Sequence, residues 1–270
     1  MNQINIEVPN LNYHVEEAYK SLRTNLLFCG SDKKVIDITS CTEDEGKSTV
    51  ARLLAISLAQ SGKNVILVDA DMRKSVLTRT VKIQGHQHAN GLSLYLSGQV
   101  YINDIIYKTN INGFYMIFTG QFPPNPAELL CTERFSLMIT ALRKAFDYVI
   151  IDTPPLGVVT DSAMVANDCD GAILVVESGA IGYPFAQDVV AQLRKADCPI
   201  LGAVLNKVDI KQSSRYYSGK YYGKYGKYGK YYGGYGEAPS SKESQQAAEA
   251  LAKAANRPAD DSAGNLEIHL

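Results

Sequence analysis

The sequence predicts a doubly wound α/β domain, a mostly parallel sheet with helices on both faces, followed by a disordered tyrosine-rich C-terminal tail. Three observations carry that expectation. The runs VILV, YVII, AILVV and ILGAVL are almost continuously apolar, the pattern of strands buried on both sides by helices. They alternate with stretches of helical periodicity, as βαβ units do. After Ile210 the composition changes abruptly, and aliphatic residues give way to tyrosine, glycine and lysine.

Taken in order, residues 14–28 read as a helix, because Val15, Ala18, Leu22 and Leu26 recur at spacings of three and four. Val35–Thr39 is a short β-rich run. A helical stretch follows from Lys47 to about Gln60, where Ser61-Gly62 stops it. Asn64–Asp69 is the next strand. Residues 126–145 read as helical, Tyr148–Asp152 and Ala172–Val176 as buried strands, 184–196 as a helix and Ile200–Leu205 as the last strand. These elements define a domain over residues 1–210. In such a sheet ligands bind at the carboxyl ends of the strands, and polar residues gather there.

Bulk properties narrow the choice. The chain has 270 residues, 46% of them apolar, enough for a real core. Its formal net charge of −1 gives no field that attracts nucleic acid, and no nucleic-acid partner is expected. Cys29, Cys41, Cys131, Cys169 and Cys198 are scattered without a CxxC pair or metal spacing, which suits a reducing cytosol. No apolar run approaches the roughly 20 residues of a spanning helix. Any membrane link is therefore expected to come through a partner.

The strand at Val35–Thr39 leads into SCTEDEGKST and then a helix. That context makes Gly46-Lys47-Ser48 the end of a phosphate-binding P-loop. Loop amides and the helix N-terminus cradle phosphates, Lys47 reaches their oxygens and Ser48 ligates magnesium. Thr42, Glu43, Asp44, Glu45, Gly46, Lys47, Ser48 and Thr49 are thus the candidate nucleotide-binding residues. The generic pattern has a glycine five residues before Gly46; here Cys41 stands there.

Two more strand ends carry acids. VILVDADMR presents Asp69, Asp71 and Arg73, and YVIIDTPP presents Asp152. Alone, each aspartate would pass for a cap or turn residue. Together with GKST they supply carboxylates around Mg-ATP, whose metal needs oxygen ligands. Asn206, after the last strand and before Lys207, reads equally as an adenine contact or a strand-end turn.

Residues 211–236 form a separate tail containing Tyr216, Tyr217, Tyr221, Tyr222, Tyr225, Tyr228, Tyr231, Tyr232 and Tyr235. Arg215, Lys220, Lys224, Lys227 and Lys230 accompany them, with no acid between 213 and 236. Frequent glycine and the lack of an apolar face predict disorder. Alone, the tail reads as a sticky aromatic-basic tract for nucleic acid, polysaccharide or self-association; beside a site that handles the phosphates of Mg-ATP it reads as a phosphorylation substrate. Each phosphotyrosine adds about −1.5 to −2 charges, so three would roughly cancel the basic residues, a candidate switch. Residues 237–270 are polar, with a possible weak helix at 243–255.

From about Glu16 to Tyr235 the chain resembles the bacterial tyrosine kinases, the autokinases of capsule and exopolysaccharide systems. The resemblance rests on the P-loop with Cys41 for its first glycine, on D-x-D-x-R at Asp69, Asp71 and Arg73, and on D-x-x-P at Asp152 and Pro155. It also rests on the segment from Gly120 to Leu130 and on the tyrosine cluster. It implies catalytic roles for Lys47, Asp69, Asp71 and Asp152. Ser48, Asp71 and Asp152 would serve the magnesium, and Asp69 would accept the tyrosine's proton. The resemblance further implies ATP as phosphoryl donor, a ring-shaped homo-oligomer and other protein substrates. A separate transmembrane activator would recruit the chain from the cytoplasm to the membrane. The family's oligomerisation motif, E-x-x-R-x-x-R, is present as Glu17, Lys20 and Arg23, with lysine replacing the middle arginine and losing its fork.

Two other readings share the fold. A partitioning or division-site ATPase commonly carries a lysine four residues before the GK glycine, where this chain has Thr42. The function of such an ATPase also needs neither D-x-D-x-R nor a tyrosine tail, whereas in a non-catalytic ATP-gated assembly protein nucleotide would merely set the oligomeric state.

Overall fold

A computed structural model describes residues 2–77, 81–82 and 90–209. Its strands are β1 (Asn2–Ile6), β2 (Val35–Ser40), β3 (Val65–Asp69), β4 (Val81–Lys82), β5 (Tyr107–Thr109), β6 (Phe114–Ile117), β7 (Tyr148–Asp152), β8 (Gly171–Glu177) and β9 (Ile200–Asn206). Its helices are α1 (Tyr13–Phe28), α2 (Lys47–Gln60), α3 (Leu92–Leu96), α4 (Pro126–Leu130), α5 (Glu133–Ala145), α6 (Asp161–Ala166) and α7 (Tyr183–Lys195). The α/β unit runs through β9 to Lys207. The tyrosine tail and residues 237–270 lie outside the described residues, as do all nine candidate phosphorylation sites.

Among the described residues the strands form one sheet in the order β4-β1-β5-β6-β3-β7-β2-β8-β9. Only β1–β4 and β5–β6 pair antiparallel; the other pairings are parallel. The four apolar runs of the sequence are β3, β7, β8 and β9. The first two are buried along their whole length and β8 along most of it. At the sheet edge β9 is only partly covered.

Side chains alternate between two apolar layers, as the strand period of two demands. Ile36, Ile38, Val65, Leu67 and Ile150 pack on the α2 side. Val35, Ile66, Val68, Val149 and Ile151 pack on the opposite side with Phe135 and Met138 of α5 and Val165 of α6. Helix α2 is buried nearly all round, eleven of its 14 residues, because α1 covers its outer surface with Tyr19, Leu22 and Leu26.

Several elements escaped the sequence reading. Strands β1, β5 and β6 are three to five residues long, too short for a periodic pattern, and neighbour pairing makes them strands. The helix expected over 126–145 is two helices. Thr132 is extended, and its hydroxyl donates to the Leu129 carbonyl (2.7 Å), which closes α4 before α5 starts.

Candidate active site

The P-loop joins β2 to α2 and is braced from inside. Glu45 is buried; its Oε2 accepts from the main-chain amides of Cys41 and Thr42, each at 2.7 Å. Its Oε1 accepts from the amide of Glu177 at 3.1 Å, at the end of β8. The Glu45 side chain thus holds the loop together from within, a bracing role beyond its expected place among the nucleotide-binding loop residues. Asn206 has a similar job. Its amide donates to the Glu45 carbonyl (2.8 Å), and a Cβ on Gly46 would collide with that same nitrogen. Gly46 also has φ of 90°, so glycine is required there for two reasons. Cys41 is absent from the described positive-φ positions, which explains why the loop tolerates a side chain at the usual glycine.

A cleft of about 330 Å³ opens over this loop. Of the predicted residues, Glu43, Asp44, Gly46, Lys47, Ser48, Thr49 and Asp71 line it, whereas Thr42, Glu45, Asp69, Asp152 and Asn206 are not among its lining residues. Arg73, Lys74 and Lys207 add positive charge to its wall. The sequence reading assigned Lys207 no role. Held at φ of 54°, it donates to the Asp44 carbonyl (2.6 Å) and to Glu177 Oε2 (2.9 Å).

The three acid-bearing positions converge because β3 and β7 are neighbours in register, Asp69 opposite Asp152. Lys47 Nζ lies 2.8 Å from Asp71 Oδ2 and 3.7 Å from Asp152 Oδ1. Burial opposes the lysine's charge, but Asp152 and Asp71 outweigh it and hold the ammonium above its ordinary pKa. Burial raises Asp152, partly offset by Lys47. Asp69 is pushed up to about 7 by burial and by the Asp152 charge. Its Oδ2 accepts from the Ser75 hydroxyl, while Oδ1 has no hydrogen-bond partner. Arg73 turns away from the cleft floor and grips Asp161 at the start of α6 with its fork, at 2.8 and 2.9 Å.

A fourth acid was missed. Asp37 sits in the middle of β2, fully buried, and accepts hydroxyls from Thr153 (2.7 Å) and Ser162 (2.8 Å). The available signal was an acid inside the apolar run VIDIT, since acids are almost never fully buried without a partner.

The donor set fits magnesium carried by a triphosphate. Asp152 Oδ1 is buried with no hydrogen-bond donor, in a site that also holds Ser48 and a helix N-terminus. Among the described residues no three His, Cys, Asp or Glu side chains form a metal cage. Magnesium needs none, because it usually takes one or two carboxylates and completes its shell with phosphate and water.

The proposed oligomerisation residues occupy α1. Glu17 and Lys20 pair with each other at 2.8 Å on its exposed face. Arg23 reaches across to α2 and donates to the Ser57 carbonyl at 2.8 Å.

Comparison with known proteins follows the same lines. A family described as AAA domain matches residues 33–195. The tyrosine-protein kinase CpsD of Streptococcus agalactiae serotype III is 44% identical over 194 residues, covering 72% of this chain and 83% of that protein. The chimerical protein CapA2B2 superimposes with a TM-score of 0.69 at 29% identity, covering 77% of this chain and 94% of the other. The kinase domain of the Escherichia coli tyrosine kinase ETK gives 0.66 at 33% identity, covering 72% and 77%. The septum site-determining protein MinD of Pyrococcus horikoshii, solved with Mg-ADP, shares the fold at a TM-score of 0.55 and 23% identity, covering 67% and 76%.

Proposed function

This chain belongs to the bacterial tyrosine-protein kinase family, and from that premise we propose that it transfers the γ-phosphoryl group of Mg-ATP to tyrosines in its own residues 211–236. The observation that carries the reading is the position of Lys47, between Asp71 and Asp152 at the floor of the cleft. Bound Mg-ATP supplies the phosphoryl group. Lys47 and the α2 N-terminus offset the phosphate charge, and Ser48 and Asp152 hold the metal. Gly46 lets the backbone approach closely, and Glu45 and Asn206 keep the loop amides in place.

The proton acceptor for the phenol belongs to the end of β3. Asp71 lines the cleft. Asp69, behind it, is the acid whose pKa of about 7 lets it hold a proton near neutral pH. A loose phosphoryl-transfer transition state asks little of that base before the bond is made. Either acid can therefore act chiefly by orienting the hydroxyl.

Delivery between subunits of a ring, with Glu17, Lys20 and Arg23 at the contact, is the arrangement the family resemblance favours. So is recruitment to the membrane by a separate activator that also promotes capsule or exopolysaccharide synthesis. No helix among the described residues is long and apolar enough to cross a membrane, which fits recruitment by a partner.

The test is incubation with labelled Mg-ATP, with and without an activator's cytoplasmic segment, followed by detection of phosphotyrosine. Label on residues 211–236 that disappears in Lys47→Ala and in a tail deletion is expected. ATP hydrolysis without labelled protein, even with the activator segment, would point instead to the ATPase reading.

A further inference from the structure

Strand β2 shows an irregularity that the P-loop chemistry does not use. Val35, Asp37 and Thr39 alternate with Ile36 and Ile38 and so share the sheet face opposite α2. Its neighbour Val35 packs there in an aliphatic layer. At position 37 stands a fully buried carboxylate instead.

Both of its oxygens are occupied. Oδ1 accepts from Thr153, the residue after Asp152, and Oδ2 accepts from Ser162, the residue after Asp161. Asp161 in turn is fully buried and gripped by the Arg73 fork. The amides of Arg73 and Lys74 both donate to Asp71 Oδ1, at 3.3 and 2.9 Å. A single path therefore runs from Asp37 to both catalytic strand ends: one step to the residue beside Asp152, and through α6 and Arg73 to the turn that aims Asp71. Nothing else described on β2 ties β7 and α6 together through one side chain.

We propose that Asp37 is a positioning residue for phosphoryl transfer, tying the carboxyl end of β7 to the start of α6 and so setting the placement of Asp152 and Asp71. It touches neither nucleotide nor tyrosine. The P-loop itself is braced separately by Glu45 and Asn206, so nucleotide capture should survive loss of Asp37 while turnover should not. That split arises because misplaced carboxylates cost more in the transition state than in the ground state.

The inference rests on the kinase reading, and the experiment separates the two. Asp37→Val supplies the aliphatic side chain expected on that face, and Asp37→Asn keeps the shape and one acceptor. Asp37→Val is expected to lower kcat for tyrosine phosphorylation about tenfold or more, with KM for ATP within about twofold, and Asp37→Asn to recover most of the loss. In the ligand-free protein, amide hydrogen exchange over 152–166 should accelerate roughly tenfold in Asp37→Val, with α2 unchanged. Thr153→Val and Ser162→Ala, each removing one arm, should reproduce part of both effects and carry the test if Asp37→Val does not fold. Unchanged kcat, or exchange that accelerates evenly through the whole chain, would overturn the proposal. If the wild type forms no phosphotyrosine, the kinase reading fails first, and the exchange pattern still decides whether Asp37 ties the two segments.

Discussion

The two faces of β2 do different work with adjacent residues. On the α2 side, Ile36 and Ile38 are wholly buried in an aliphatic layer. On the other side, Asp37 and Thr39 spend their polar atoms on the segment after β7: Asp37 on Thr153 and Ser162, Thr39 on the Pro154 carbonyl at 3.0 Å. The first face contributes stability through burial, which is non-directional and roughly proportional to area. The second buries polar groups that must be matched one for one. The comparison teaches that stability and placement are separable here, although both arise from one strand.

Substitutions can break or sharpen that contrast. The largest effect is expected from Asp152→Asn, which removes the carboxylate proposed to hold the metal. Phosphotyrosine formation should fall by roughly 10³-fold, about 4 kcal/mol of transition-state stabilisation, with an unfolding midpoint at or above the wild type's. A midpoint that dropped in step with activity would make the polar face merely structural.

Next comes Ile38→Ala on the apolar face. It should cost about 3 kcal/mol in urea unfolding through lost burial and a residual cavity, yet leave kcat of the folded protein intact in the cold. A kcat loss there would couple the two faces.

Between pH 5 and pH 8 a stability change of about 3 kcal/mol should follow for Asp37, at 1.36 kcal/mol for each pH unit below its raised pKa. Burial pushes this acid from 3.8 up to about 7, with Asp152 adding to the rise and Lys47 opposing it. Cys169 and Cys198 also lie within its electrostatic reach. Between those two values the folded state binds more protons than the unfolded one. The contribution is therefore fully present below about pH 4 and is lost as pH rises through 7. Unfolding curves at pH 5 and pH 8 should show Asp37→Asn gaining on the wild type as pH rises. A constant difference would mean that Asp37 is ionised throughout.

The smallest effect belongs to Glu17→Gln. Its pair with Lys20 is solvent-exposed, so the stability of the isolated chain should not change measurably. Native mass spectrometry is the sharper probe. Loss of large assemblies with unchanged monomer stability would place Glu17 at a subunit contact.

Much of this architecture could be read in advance. The buried strands, the GKS loop and the acid-bearing strand ends are local patterns, and all were found where expected. Asn206 was left open between two readings, and the fold gives it a third job: it braces the loop at Glu45 across 161 positions of chain. The bracing role of Glu45 went unread because its partners lie on the loop's own backbone and at the end of β8, contacts that spacing does not encode. Asp37 and Asp161 escaped notice for the same reason. An acid inside a strand or at a helix start is ambiguous until its partners, Thr153 and Ser162 for one and Arg73 for the other, are brought beside it.

Periodicity and motif spacing on their own determined the α/β class, the strand ends and the identity of the phosphate loop, because these depend on residues within a few positions of each other. Sheet order decided the rest. Placing β2 between β7 and β8, and β3 beside β7, brings Lys47, Asp71 and Asp152 within one ion-pair network and seats Asp37 under the residue that follows Asp152. Hydrogen bonds and ion pairs act over about 3–4 Å, so they come into being only when the folded chain has brought distant segments together.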